Sequence, residues 1–134
     1  MWTYVQSTGR LYFNGTPIAT GYSGQGDGKN NPALETVKNV GPIPAGRWRV
    51  QGSPFDSPAN GPFCLRLRPC EGTDTHGRSG FLIHGDSLSA PGTASHGCIV
   101  LPRAIRRAIW ESVDTEMLVV ADEPRPTTDD REDL

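Results

Sequence analysis

Two histidines and a cysteine lie close together in the segment "FLIHGDSLSAPGTASHGCIVL", residues 81–101. His84 ends one hydrophobic run, Cys98 begins the next, and His96 stands just before that cysteine. A thiolate attacks carbonyl carbon well, and an imidazole can take up the thiol proton. An imidazolium about 4 Å away contributes about 4 kcal/mol at an effective dielectric of about 20, which exceeds the roughly 2.7 kcal/mol needed to lower a pKa by about two units. The segment therefore predicts acyl transfer through a thioester, with Cys98 as nucleophile and His84 as base.

The loop between the two residues allows them to meet. If His84 ends a strand and Cys98 starts a neighbouring antiparallel strand, the two backbones lie about 4.8 Å apart. Pro91 and several glycines in the loop permit the tight turns that this needs. Gly97 permits close backbone approach, so we expect main-chain N–H groups near Gly97 and Cys98 to bind the oxyanion of the tetrahedral intermediate.

Composition indicates which elements position these residues. The chain has 134 residues, 35% of them hydrophobic, with 16 glycines, 12 prolines and a mean hydropathy of -0.46. One mostly β domain of short strands and tight turns is the expected architecture, without a membrane span. The runs that predict strands are "WTYVQS", "RLYFNG", Pro17 to Tyr22, "RWRVQG", "PFCLRLRP", "GFLIHG", "CIVL" and "MLVV". Asn14-Gly15 predicts a hairpin turn, Pro32 to Lys38 a short helix, and "PRAIRRAIWESV" the main α-helix, with Ile105 and Ile109 toward the core.

Charge divides the chain into two parts. The net charge is -2, and acidic residues are concentrated at the C-terminus. We expect a catalytic domain over residues 1–121 and a flexible acidic tail over residues 122–134. No basic stripe suited to nucleic acid is present. The first ten residues lack the basic and apolar regions of a secretory signal, so we expect synthesis in the cytoplasm without a signal peptide.

Two further sets of residues leave alternatives open. Arg66 and Arg68 alternate with apolar residues, so they form either a solvated sheet face or a carboxylate-binding pair. Cys64 and Cys70 are either paired or reduced, and pairing requires the chain to bend between them.

Several segments together resemble a known enzyme family. "HGDSLSAPGTASHGCIVL" and "NVGPIPAGRWRV" are similar to the active-site signature and the strand-entry turn of the L,D-transpeptidase catalytic domain. With "YVQSTGRLYFNG", "GYSGQGDGKNNP" and "GRSGFLIHGDS", the sequence most closely resembles the small L,D-transpeptidase-type effector toxins delivered by type VI secretion. Those toxins attack peptidoglycan in the periplasm of rival bacteria. The resemblance covers roughly Trp2 to Val120.

The resemblance implies an L,D-transpeptidase-like β-sandwich with one main α-helix. It implies that Cys98 forms an acyl-enzyme with a peptidoglycan peptide stem, that His84 is the base, and that His96 and Ser95 support the site. No metal or cofactor is expected. The implied partners are peptide stems, a secretion machinery and a cognate immunity protein, with action in the periplasm of the target cell.

Two departures from the family pattern bear on the substrate. The loop between His84 and Ser95 is shorter than in wall-building members, and Val100 replaces a polar residue (typically Arg or Asn). Substrate recognition then falls to arginines, of which the candidates are Arg66, Arg68, Arg78 and Arg103. Asp86 either orients His84 or caps the loop. The acceptor stays open: water gives a carboxypeptidase, a free D-amino acid gives exchange, and a second stem gives a crosslink.

Other classes use the same residue types. His84, His96, Cys98 and Asp86 are potential zinc ligands, although closely spaced pairs such as C-x-x-C or H-E-x-x-H are absent. Papain-like hydrolases carry the cysteine before the histidine, the reverse of the order here. A non-catalytic peptidoglycan-binding module has no need of Ser-His-Gly-Cys. We expect an L,D-carboxypeptidase or exchange enzyme, and crosslinking or binding alone as the alternatives.

Overall fold

Short strands dominate the fold, as the composition predicts. A computed structural model describes residues 1–124. The strands are β1 (Trp2–Val5), β2 (Arg10–Phe13), β3 (Thr16–Thr20), β4 (Tyr22–Ser23), β5 (Gly46–Ser57), β6 (Gly61–Pro69), β7 (Leu82–His84), β8 (Ile99–Val100) and β9 (Glu116–Val120). One α-helix, α1 (Arg103–Glu111), precedes β9, and two 3-10 turns (Gly26–Gly28 and Pro32–Leu34) follow β4. The mostly β prediction with one main helix is confirmed, while the helix expected over Pro32 to Lys38 is only the second of these turns.

Hydrogen bonds join the nine described strands into one mixed sheet. The two layers of the predicted β-sandwich are therefore parts of the same sheet. The strand order is β3-β2-β1-β9-β5-β6-β7-β8-β4. The pairs β1–β9 and β7–β8 are parallel, and the remaining pairs are antiparallel. The prediction that the His84 and Cys98 strands are antiparallel is therefore wrong. Because both strands are very short, the intervening loop can carry the chain back along the length of β7 and start β8 in the same direction.

Local sequence signals account for much of this order. Asn14 and Gly15 have φ values of 49° and 85°, both left-handed, as a tight hairpin turn between twisted strands requires. In β6, Leu65 and Leu67 are buried while Arg66 is exposed, because successive side chains point to opposite faces.

The core is a single cluster of buried side chains, and the helix packs against β6 and β7. Trp48, Ile83 and Ile99 are fully buried in a single cluster, to which α1 adds Ile109. Ile105 packs partly buried against the same cluster, which confirms the predicted core-facing pair of the helix.

The structure bears on the cysteines and on the first residues of the predicted tail. The three cysteines are free thiols, so Cys64 and Cys70 are not paired. Glu123, at the start of the predicted tail, accepts hydrogen bonds from Thr8 Oγ1 and Tyr12 Oη. Residues 125–134 of that tail lie outside the described part of the chain.

Candidate active site

The register of β7 and β8 decides where the histidine and the cysteine point. Ile83 pairs with Ile99, and His84 pairs with Val100. Side chains alternate along a strand, so Cys98 and His84 lie on the face opposite the buried Ile83 and Ile99. Two residues along one strand and one strand across correspond to about 8 Å between Cα atoms. An imidazole and a thiol that lean toward each other can bridge this diagonal.

His84 is buried and held in one tautomer. Its Nδ1–H donates to the carbonyl oxygen of Gly85 at 2.8 Å, and a carbonyl can only accept. The Nε2 lone pair is therefore the free basic atom of the ring. Burial lowers the pKa of His84, and the nearby Arg106 charge lowers it further, against the opposing effect of the Gly85 bond. The ring is thus neutral near pH 7 and ready to accept a proton.

The Cys98 sulfur lies against the chain that enters β7. Leu82 N–H donates to Sγ at 3.3 Å, and the thiol lies 3.8 Å from the carbonyl oxygen of Gly80. Burial raises the pKa of the Cys98 thiol, while the Leu82 N–H and the Arg78 guanidinium act in the opposite direction. A resting thiolate–imidazolium pair, as the sequence suggested, is therefore not what these surroundings favour. They favour a neutral thiol and a neutral imidazole.

Ser95 fixes the backbone around the cysteine. Its Oγ donates to the Cys98 carbonyl oxygen at 2.6 Å and accepts from the N–H groups of Gly24 and Gly97 at 2.9 and 3.1 Å. The predicted supporting role of Ser95 is consistent with these bonds. The Gly97 N–H, one of the two predicted oxyanion donors, is thus engaged by Ser95 in this structure.

Gly97 is needed for another reason. Its φ is +136°, and a Cβ at this position would lie 2.3 Å from Nη2 of Arg78. Arg78 itself is buried, and its guanidinium donates to the main-chain oxygens of Glu35, Gly41, Pro42 and His96. These bonds occupy both terminal nitrogens of the guanidinium, and the substrate-binding role of Arg78 stays a prediction.

Asp86 holds the loop that follows His84. Its carboxylate accepts from Tyr22 Oη at 2.5 Å and from the N–H groups of Ser87 and Gly92 at 2.8 and 3.0 Å. Burial, together with the hydrogen bond to Asp86, raises the pKa of Tyr22 to about 12. Of the two roles left open for Asp86, these contacts correspond to loop capping, and His84 is oriented by Gly85 instead.

The imidazole and the thiol open onto two neighbouring cavities. The larger, about 1100 Å³, is bordered by His84, Asp86, Arg103 and Arg106. The smaller, about 150 Å³, is bordered by Cys98 together with Lys38, Arg78 and Phe81. His96 is exposed and borders both cavities, in line with its expected position beside the site.

Residues 1–124 contain neither a metal-binding cluster nor a membrane-spanning helix. Within that range, no three His, Cys, Asp or Glu side chains are grouped so as to hold a metal ion. The helix in the same range is too short and too polar to cross a membrane.

The fold is similar to that of a known enzyme. The crystal structure of a cysteine-to-serine mutant of Enterococcus faecium L,D-transpeptidase matches 89% of this chain, with a TM-score of 0.53 and 19% sequence identity. The chain spans about half of that protein, 48% of its length. At this identity the similarity concerns the fold alone. No curated protein is significantly similar in sequence.

The family follows from a sequence match over most of the domain. The model of the Tlde1 domain matches residues 18–121. The chain belongs to this family. Tlde1 is a family of type VI secretion L,D-transpeptidase effectors, so the resemblance drawn from the sequence is confirmed.

Two arginines considered as substrate contacts lie elsewhere in this Tlde1 domain. Arg66 and Arg68 occupy the exposed face of β6, and the Arg66 guanidinium lies 4.6 Å from the centre of the Phe55 ring. Neither borders the cavities that adjoin His84 and Cys98. Arg103, by contrast, borders the larger cavity.

Sequence reasoning missed residues that support the Tlde1 site from distant segments. Arg106 is buried, donates to the carbonyl oxygens of Pro62, Phe63 and Leu101, and faces Gly85. Ser23 is also buried, and its hydroxyl donates to the carbonyl oxygen of Gly97. The helix sequence contains several arginines, and nothing in their spacing marks one as buried. The serine lies in a glycine-rich stretch that gave no signal beyond a loop.

Proposed function

We propose that this Tlde1 domain is a cysteine enzyme that cleaves peptidoglycan tetrapeptide stems, as an L,D-carboxypeptidase or a D-amino acid exchange enzyme. The proposal rests on one observation: Cys98 and His84 share a sheet face, with the histidine Nδ1–H bonded to Gly85 and its Nε2 free. In cells, we propose an antibacterial toxin that is secreted and acts in the periplasm of the target. A secretion machinery and a cognate immunity protein are its proposed partners.

The proposed reaction has two steps. The Cys98 sulfur forms a bond to the carbonyl carbon of the stem amide, while its proton passes to Nε2 of His84. The C–N bond then breaks, and the leaving amine takes the proton from the imidazolium, which leaves a thioester on Cys98. In the second step, His84 deprotonates water or an amine, which attacks the thioester carbon; the C–S bond breaks, and the sulfur takes the proton back from the imidazolium. The Cys98 main-chain N–H is the proposed oxyanion donor, since the Gly97 N–H is engaged by Ser95.

The size of the cavity beside the sulfur supports a small acceptor. That cavity is about 150 Å³, below the 300–1,000 Å³ typical of pockets for drug-sized ligands. Water or a free D-amino acid fits this volume, whereas a second peptide stem would have to enter through the larger cavity of about 1100 Å³ that adjoins His84. We therefore propose trimming or exchange in preference to crosslinking.

Purified sacculi provide the test. Sacculi are incubated with wild type, Cys98→Ala or Cys70→Ala, with and without a free D-amino acid, and the stems are identified by mass spectrometry. Cys70 is half-buried and outside both cavities, so its variant is the matched control. We expect tripeptides, or tetrapeptides carrying the added amino acid, with wild type and the control, and none with Cys98→Ala.

Each other outcome overturns a specific part of the proposal. Unchanged tetrapeptides with wild type contradict the substrate. Full activity of Cys98→Ala contradicts the mechanism. Crosslinked dimers as the main product make the protein a crosslinking transpeptidase. If wild type and Cys98→Ala both bind sacculi and neither cleaves the stems, the protein is a binding module.

A further inference from the structure

Arg78 carries a buried positive charge that its hydrogen bonds do not neutralise. The residue is 6% exposed. Its guanidinium donates to the main-chain oxygens of Glu35, Gly41, Pro42 and His96. Within residues 1–124, no carboxylate lies within salt-bridge distance of it. Carbonyl oxygens satisfy the N–H groups but contribute no net negative charge, and a buried charge without a counter-charge is costly.

The guanidinium lies against the two residues that precede the cysteine. Nη2 donates to the carbonyl oxygen of His96 at 3.4 Å. The same atom occupies the space in which a Cβ on Gly97 would lie, at 2.3 Å. Arg78 and Cys98 also border the same cavity of about 150 Å³. Two ionisable groups act on this cation through their charges: the Cys98 sulfur, which has the larger effect, and the Glu35 carboxylate, which lies beyond salt-bridge distance.

We propose that Arg78 is a positioning residue whose buried charge stabilises the ionised form of the Cys98 sulfur during attack. Its catalytic meaning rests on the proposed function, whereas its effect on the thiol exists without substrate. The direction is consistent with the surroundings of the sulfur: burial raises the pKa of the Cys98 thiol, and the Arg78 charge lowers it.

Other ionisable groups near the sulfur act differently. Lys38 and His96 border the same cavity but are exposed, so solvent and salt screen the charge of Lys38. On β7, His84 has a lowered pKa and is neutral near pH 7. Cys64 on β6 is a neighbouring thiol that raises the Cys98 pKa. Arg106 of α1 donates to main-chain oxygens on the side of the site that adjoins His84. Arg78 is thus the buried cation on the cysteine side of the described site.

The test measures the alkylation rate of Cys98 by iodoacetamide as a function of pH, with the modified peptide quantified by mass spectrometry. The variants are Arg78→Gln and Arg78→Met, which remove the charge, Arg78→Lys, which keeps it, and Lys38→Met as the exposed-charge control. We expect the neutral variants to raise the apparent pKa by about one unit or more, hence about tenfold slower alkylation below the pKa. Arg78→Lys should shift it much less, and Lys38→Met hardly at all.

Folding of each variant is checked by circular dichroism. If neither neutral variant folds, the charge of Arg78 is tested in a protein that keeps this arginine, by comparing an anionic with a neutral alkylating agent. In Lys38→Met, the rate ratio of anionic iodoacetate to neutral iodoacetamide should be several-fold higher at Cys98 than at Cys70. A folded neutral variant with an unchanged pKa overturns the proposal, as does an equal shift in Arg78→Lys or an equal ratio at the two thiols. A raised pKa without stem cleavage by wild type supports this inference and contradicts the proposed function. Stem cleavage by wild type together with an unchanged Cys98 pKa in the neutral variants supports the proposed function and contradicts this inference.

Discussion

The hydroxyl of Ser95 is the most sharply defined support of the candidate site, and its removal gives a quantitative prediction. The residue is 1% exposed. One oxygen atom accepts from Gly24 N–H and Gly97 N–H and donates to the carbonyl oxygen of Cys98. In Ser95→Ala, all three main-chain groups lose this partner, and too little space is created for the chain to rearrange freely.

The expected loss follows from the cost of orphaned donors. A buried polar group left without a partner costs about 1–3 kcal/mol. The two N–H groups shared one oxygen, so we expect a combined loss of about 2–4 kcal/mol in the free energy of unfolding. Domains of this kind are stable by only about 5–15 kcal/mol, so the variant should fold but be clearly weakened. The melting temperature should fall by roughly 10 °C.

Urea unfolding followed by tryptophan fluorescence measures this loss directly. Ser53→Ala is the matched control, because Ser53 is an exposed serine in β5, and its change should stay within about 0.5 kcal/mol. A loss below about 1 kcal/mol for Ser95→Ala, at an unchanged dependence on urea, would refute the reasoning. The Gly24 and Gly97 donors would then have found other partners at little cost.

Two further predictions concern the same strands. Gly97→Ala places a Cβ 2.3 Å from Arg78 Nη2 at a φ of +136°, so we expect the free energy of unfolding in urea to fall by more than about 2 kcal/mol. The control Gly52→Ala, at φ +73° in open space, should lose about 1 kcal/mol. Equal losses in the two variants would contradict the close approach. The second prediction concerns pH: burial lowers the pKa of His84, so the unfolded chain binds a proton near pH 6.5 that the folded protein does not. Stability is therefore complete above about pH 6.5 and decreases as the pH falls through the window below it. Urea midpoints of wild type and His84→Gln from pH 7.5 to 5 measure this component, which the variant should lack; parallel curves would show that His84 titrates normally.

Much of the fold could be predicted from local patterns. Alternation in "PFCLRLRP" identified β6 and its exposed arginines, because the period of two along a strand separates core from solvent. Ile105 and Ile109 identified the core side of α1, because residues four apart lie on the same face of a helix. The direction of β8 relative to β7 was predicted wrongly. Strand direction depends on how a loop returns across the sheet, and the composition of that loop does not specify it.

The sequence by itself determined the chemical inventory: one cysteine and one histidine at the ends of two hydrophobic runs, and glycine and serine immediately before the cysteine. Only the tertiary structure decided what each group is free to do. It used the Gly97 N–H on Ser95, and it committed the Arg78 guanidinium to carbonyls of remote segments. The physical reason is that a polar group's role depends on which partners have already claimed it. Those partners, as with Arg78 and Gly41, are brought together only when the chain folds.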